Sequence, residues 1–224
     1  PDVKVNETNT TTDKVSAFQI IEEYLKAIGG KEEVKKVTST TSTFTMDLMG
    51  RSFNGVDKAL APNKRATDIK MGQMTVLKYV FDGFNGYQQQ GPQKKELSLA
   101  EIKEAQDDKG VVPQLYYISS DYKTEYIGTG KIGDEATYRL KVVMPSGRVS
   151  VQEYAVKTGL LLKEETTSKS GDEDEPLTVE YKNYKKAGNI MLPYEVTRNQ
   201  GGQEFTMVIS EIKINEAIPE TDFK

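Results

Sequence analysis

KIGDEATYRLKVVMPSGRVSVQEYAVKTGLLLKEE, residues 131–165, opens a stretch that runs to Phe223 and decides the fold. Tyr138, Leu140, Val142 and Met144 alternate with Thr137, Arg139, Lys141 and Val143. Pro145-Ser146-Gly147-Arg148 turns the chain, after which Val149 and Val151 fall on one face and Ser150 and Gln152 on the other. Thr158-Gly159 turns it again into Leu160–Lys163. Glycine turns at Ser170-Gly171-Asp172, Ala187-Gly188-Asn189 and Gln200-Gly201-Gly202 separate three more runs, Leu177–Tyr184, Ile190–Arg198 and Gln203–Ile214. Side chains alternate between the faces of a strand, so a period of two bounded by Gly and Asn predicts half-buried antiparallel strands.

Working outward, the earlier chain supplies more strands and two helical pieces. Thr38–Met49 carries Phe44, Met46 and Leu48 on one face. Arg51–Leu60, Lys64–Met71 and Met74–Phe81 follow, with turn signals at Gly50, Gly72, Asp82-Gly83 and Asn85-Gly86. Ser16-Ala17-Phe18-Gln19 and Ser98-Leu99-Ala100-Glu101 have capping-box spacing, so each predicts a helix start. Ile21, Tyr24, Leu25 and Ile28 form the apolar stripe of the first helix, which ends at Gly29-Gly30; Lys31–Val37 adds a short second one. Gln88–Lys95 reads as a polar loop. A helical insert, Leu97–Ser120, then interrupts the sheet, with Pro113 suited to a first helical turn, and strands resume at Tyr122. The fold class expected is mainly β with some helix (α+β). It is a strongly curved antiparallel sheet of roughly eleven strands, because sheets that large curl, close or split. Residues 1–13 are polar and threonine-rich and read as a tail or linker, leaving 14–224 as the domain. The sequons at Asn6 and Asn9 in that tail are read as chance matches. Pro1 in place of Met marks a mature form or an excised fragment.

Composition narrows the chemistry. The 224 residues carry a net charge of −4, which argues against nucleic acid as a partner. No apolar run is long enough for a transmembrane segment. Cysteine and histidine are both absent, which removes thiol nucleophiles, thiolate or imidazole metal sites and His-based triads. Glu164 and Glu165 are adjacent in a strand and point to opposite faces, so they do not form a catalytic pair. Asp172-Glu173-Asp174-Glu175 lacks the spacing of a calcium loop and reads as a solvated hairpin tip. No enzyme, no cofactor and no metal is expected.

Three local patterns resemble the LolA/LolB-like outer-membrane lipoprotein carrier superfamily. Ala61-Pro62-Asn63-Lys64-Arg65 is similar to its Pro-Asn hairpin turn. Phe81-Asp82-Gly83 with Gly86-Tyr87 is similar to its Asp-Gly turn and the aromatic strand after it. Ile212-Lys213-Ile214-Asn215, with Ile218-Pro219 and Phe223, resembles its last strand and exit. With Tyr154–Leu162 and Tyr181–Pro193 the resemblance covers residues 14–224, and it is nearest to a lipoprotein-sorting-like branch, some members of which end insulinase-like zinc peptidases. The resemblance implies an incomplete β-barrel under a helical lid, in the periplasm or otherwise outside the cytoplasm. It implies non-catalytic binding or transport of a lipid-like ligand or lipoprotein acyl chains, with an outer-membrane or lipoprotein partner. On that basis the cavity wall is Phe44, Met46, Leu48, Ile69, Met71, Met74 and Val76, and the lid presents Leu99, Ile102, Leu115 and Tyr116. The same residues would equally fill an ordinary core. The family's lipoprotein chaperone has a lid-binding arginine just before the Pro-Asn pair, where this chain has Ala61; Arg65 lies past the turn. The rival expectation is a docking or accessory C-terminal domain of a larger exported protein such as an insulinase-like peptidase.

Overall fold

The computed structural model describes residues 15–170 and 173–224. The expected tail, its two sequons and Asp172 of the acidic run lie outside the described residues. Helix α1 (Ala17–Ala27) begins at the capping box: Ser16 Oγ accepts from the Gln19 amide and the Gln19 side chain accepts from the Ser16 amide. Helix α2 (Lys31–Lys35) follows. The first meander is β1 (Ser39–Leu48), β2 (Arg51–Leu60), β3 (Lys64–Met71), β4 (Met74–Phe81), β5 (Gly86–Gln90) and β6 (Gln93–Glu96). Helix α3 (Leu99–Asp107) and a 3-10 turn (Pro113–Tyr116) form the insert. The second meander is β7 (Lys123–Ile132), β8 (Glu135–Val143), β9 (Val149–Ala155), β10 (Leu161–Ser170), β11 (Glu173–Ala187), β12 (Ile190–Gln200) and β13 (Gln203–Ile214).

All thirteen strands join one antiparallel sheet in the order β6-β5-β4-β3-β2-β1-β13-β12-β11-β10-β9-β8-β7. The last strand thus pairs with the first, Phe44 standing opposite Ile209 and Met46 opposite Met207. The two edges, β6 and β7, stay unpaired with each other, and the insert carries the chain from one to the other. The sheet has more strands than the roughly eleven expected because the supposed polar loop Gln88–Lys95 is a hairpin. Gln90 pairs with Gln93 and Tyr87 with Glu96. At a sheet edge both faces of a strand are wet, and β6 is exposed throughout, so backbone pairing forms it without any apolar alternation.

The sheet is strongly curved, and the insert proves it. β3 is fourth and β8 twelfth in the strand order, eight spacings apart, which would be roughly 38 Å in a flat sheet. Yet four neighbouring residues of the insert reach both. The Arg65 guanidinium on β3 donates to the Gly110 carbonyl at 3.0 Å, and the Gly110 amide donates to the Pro62 carbonyl at 2.6 Å. From the other arm, at the β8–β9 turn, the Ser146 amide and hydroxyl both donate to the Asp107 carboxylate, and Arg148 donates to Asp108 at 2.7 Å. Arg65, rather than the residue before the Pro-Asn pair, therefore ties this insert down. The two turns behind the resemblance also touch: Asn63 Nδ2 donates to the Gly83 carbonyl at 3.3 Å.

Apolar burial is uneven along this curve. Ile20, Ile21, Tyr24, Leu25 and Ile28 of α1 sink into Leu140, Val142, Met144, Tyr154, Leu161 and Ile190 of the second meander. Tyr24 and Tyr154 meet edge to face at 5.4 Å. On the opposite face the C-terminal 3-10 turn (Glu220–Phe223) lies against β3 and β4, buries Phe223, and is fastened by Lys58–Asp222 and Lys64–Glu220 ion pairs.

Candidate functional site

A second apolar cluster lies on the concave face of the first meander, away from α1. Directly opposite residues in a ladder share a face. One row therefore runs Ile209, Phe44, Gly55, Ile69, Leu77 across β13, β1, β2, β3 and β4. A neighbouring row runs Tyr181, Val196, Met207, Met46, Phe53 across β11, β12, β13, β1 and β2. Phe44, Met46 and Ile69 are buried at its base, and Phe53, Val76, Leu77, Phe205, Met207 and Ile209 pack over them, half-exposed. No helical residue packs in this cluster. It is a floor without a roof, whereas the same face of the second meander is filled by α1.

Gly55 is required at the centre of the floor. A β-carbon there would stand 2.1 Å from the tip of the Phe44 ring, which occupies the space over the glycine. Gly55→Val should therefore lift Phe44 out of its row and cost about 1–3 kcal/mol of stability, as overpacking does. Urea unfolding checks this, and a variant as stable as the parent would show that Phe44 has room to move.

The expected wall residues occupy three kinds of place. Phe44, Met46, Ile69 and Val76 belong to the cluster. Leu48 shares the Met46 face and is half-buried beside it. Met71 and Met74 face each other at the β3–β4 turn, where Met74 is 57% exposed. The lid residues differ more from expectation. Leu99 is 80% exposed, because the inward position at the insert's entry is taken by Leu97, which packs against Gly86. Leu115 and Tyr116 lie against the α1 core rather than over the floor, and Ile102 is half-buried. Phe53, Leu77, Phe205, Met207 and Ile209 were not singled out from sequence. The alternation of Phe205, Met207 and Ile209 was visible, but not that β13 pairs with β1.

Two small pockets lie near this cluster. One of about 280 Å³ opens where β1 and β13 part beyond Met46, lined mainly from the opposite face of the sheet by Thr45, Asp47, Glu204, Thr206 and Val208, with Met46 and Phe205 at its edge. The other, about 190 Å³, lies beneath α3 between Tyr79, Leu97, Asp108 and Arg148. Both fall below the usual range of ligand cavities, about 300–1,000 Å³. Burial pushes the Tyr79 hydroxyl up to about 12, so it stays a neutral donor.

A polar belt separates the filled half from the open floor. Glu164 on β10 accepts hydrogen bonds from Ser150 Oγ at 2.6 Å, Gln152 Nε2 at 3.3 Å and Tyr181 Oη at 3.2 Å. Gln152 also bonds Tyr117 and Tyr154. Burial holds the Tyr117, Tyr154 and Tyr181 hydroxyls well above their ordinary value. The insert meets this belt through Tyr117. Elsewhere in the insert Asp107, 1% exposed, is held by Ser146 and Arg148. Burial raises its carboxyl above the ordinary value despite the Ser146 bonds and Arg148. Its folded form thus holds a proton more tightly than its unfolded form, and its contribution to stability is lost as pH rises through the raised value. Urea unfolding from about pH 4 upward should show that decline, and Asp107→Asn should remove it; an unchanged pH profile in the variant would contradict the assignment.

No family model matches the sequence, and comparison with curated proteins gives no match. Solved structures do match. A LolA superfamily protein from Nitrosomonas europaea is 15% identical, with a TM-score of 0.59 over 94% of this chain and 98% of that one. The chain has a LolA-like fold. A putative outer membrane lipoprotein-sorting protein domain from Vibrio parahaemolyticus matches at 14% identity and TM-score 0.58, covering 92% and 94% of the two chains. A DUF1329 family protein from Desulfovibrio piger matches at 13% and 0.59, covering 93% and 97%. Among the described residues no group of three or more acidic, His or Cys side chains is placed to hold a metal ion, and no helix is long and apolar enough to cross a membrane.

Proposed function

We propose that this protein binds the acyl part of a lipid-like ligand on the open concave floor, without catalysing a reaction, outside the cytoplasm. The observation that carries the reading is the uneven cover of one continuous face. α1 fills the half at β8–β12, while the Phe44–Met46–Ile69 cluster has partly buried apolar side chains over it and no helical residue packed against it. Partly buried apolar side chains contiguous on one face, with no helix packed on them, are the kind of surface that takes a contact. The ligand lies along the floor as in a trough, since the pocket beside it under α3 is small. Ten buried methylenes at about 0.8 kcal/mol each give about 8 kcal/mol, the scale of a micromolar Kd before association costs.

The wall is then Phe44, Met46, Leu48, Ile69 and Val76, together with Phe53, Leu77, Phe205, Met207 and Ile209. The name of the Vibrio domain supports acyl chains of a lipoprotein as one cargo, with an outer-membrane acceptor as partner, and supports an extracytoplasmic site of action. A palmitate analogue with a photoreactive diazirine on its chain tests the placement. Labelled peptides should come from β1, β2 and β13; label confined to α1, β8 and β9 would contradict it. A second reading, a docking module of a larger exported protein, is favoured by the open β7 edge, Lys123–Ile132, which leaves ten residues of strand without a partner strand on one side.

A further inference from the structure

Register places a carboxylate, a guanidinium and the apolar floor in line on one face. Glu164 on β10 stands opposite Val179, Val179 opposite Arg198, and Arg198 opposite Phe205. Strands lie about 4.8 Å apart, so Glu164 is roughly 10 Å from Arg198 and roughly 14 Å from Phe205 along this row. Phe205 belongs to the floor, next to Met207 and Met46.

Neither charge is neutralised by the other. Glu164 is half-buried and takes its hydrogen bonds from three neutral donors, Ser150, Gln152 and Tyr181. Those bonds leave part of its acceptor capacity unused, because a carboxylate has about four lone-pair sites. Arg198 is exposed on the same face, and no salt bridge between described residues involves it or Glu164. Tyr181 sits between them, its hydroxyl on Glu164 and within the influence of the Arg198 charge. Arg148, the other nearby cation, is already engaged by Asp107 and Asp108. A half-buried carboxylate beside tyrosine rings suits an ammonium group, and an exposed guanidinium suits a phosphate.

We infer that the row Glu164–Arg198–Phe205 is a headgroup-to-tail site for a zwitterionic phospholipid, with its ammonium on Glu164, its phosphate on Arg198 and its acyl chain on the floor. The order of charges along the face matches the order of groups along such a lipid. This inference rests on the acyl-floor reading above and adds the class of ligand to it.

Isothermal titration with three single-chain palmitoyl lipids tests it: lysophosphatidylethanolamine, lysophosphatidylglycerol, which lacks the ammonium, and monopalmitoylglycerol, which lacks the phosphate as well. The native protein should prefer the ethanolamine lipid over the glycerol lipid by about tenfold, and Glu164→Gln should erase that preference. Arg198→Gln should weaken both lysophospholipids by about tenfold and leave monopalmitoylglycerol unchanged. Arg198 is exposed, so its variant keeps the test valid even if the Glu164 variant loses its fold, which circular dichroism would report. An ethanolamine-to-glycerol ratio that Glu164→Gln leaves unchanged overturns the inference. So does undiminished binding of both lysophospholipids by the Arg198 variant. In both cases retained binding of monopalmitoylglycerol would leave the acyl-floor reading intact. Failure of all three lipids to bind the native protein overturns both.

Discussion

Met207→Arg is expected to weaken binding of an acyl ligand at least about 100-fold while the protein stays folded. Met207 stands opposite Met46 on one side and Val196 on the other, in the half-exposed layer of the floor. An arginine there puts an unpaired charge where the chain lies, and a loss of about 2.8 kcal/mol is enough for the stated factor. The fold survives because the floor is open. The arginine stem runs along the apolar surface and its head reaches water, as it could not beneath a helix. Titration with a fluorescent fatty acid measures the loss, and the thermal midpoint measures the fold. Undiminished affinity in a folded variant would place the ligand elsewhere.

Leu25→Ala is expected to do the reverse. Leu25 is fully buried where α1 meets the second meander, in the cluster with Leu140, Tyr154 and Leu161. Removing three carbons from such a site costs about 2–5 kcal/mol, depending on how far the neighbours close the gap. That is a large part of the stability of an ordinary domain. Urea unfolding should show the loss, while the fraction still folded binds the acyl probe with native affinity. A small loss of stability would mean that α1 is only loosely seated, and a loss of affinity per folded molecule would mean that the ligand reaches into the α1 core. Together the two variants separate what holds the fold from what contacts the ligand.

Much of this architecture is legible in the sequence because it is written in local patterns. The two capping boxes at Ser16 and Ser98 start helices as expected. The alternation in 137–144 and the Gly147 and Gly159 turns set β8, β9 and β10 in place. The floor was partly legible for the same reason, since Phe44, Met46 and Ile69 alternate within their strands. What escaped was non-local. Nothing in Gln203–Ile214 announces that it pairs with β1, so Phe205, Met207 and Ile209 could not be joined to Phe44. Nothing near Arg65 announces that curvature of the sheet brings it to Gly110. The β5–β6 hairpin carries no apolar period at all, and its strands exist because β4 offers an edge. Leu99 misled because helical spacing alone does not say which of Leu97 and Leu99 turns inward at the start of α3. The Glu164–Arg198–Phe205 row is a product of register across four strands, and register is what a linear reading resolves least.

The central claim is that the uncovered floor holds an acyl chain. Native mass spectrometry of protein purified without detergent, followed by organic extraction and lipid analysis, tests it most directly. The expected result is an adduct of lipid mass that is lost on extraction, returns on incubation with phospholipid, and is absent from Met207→Arg. A clean unliganded mass that takes up no lipid at any ratio would contradict it and favour the docking reading, which rests on the open β7 edge.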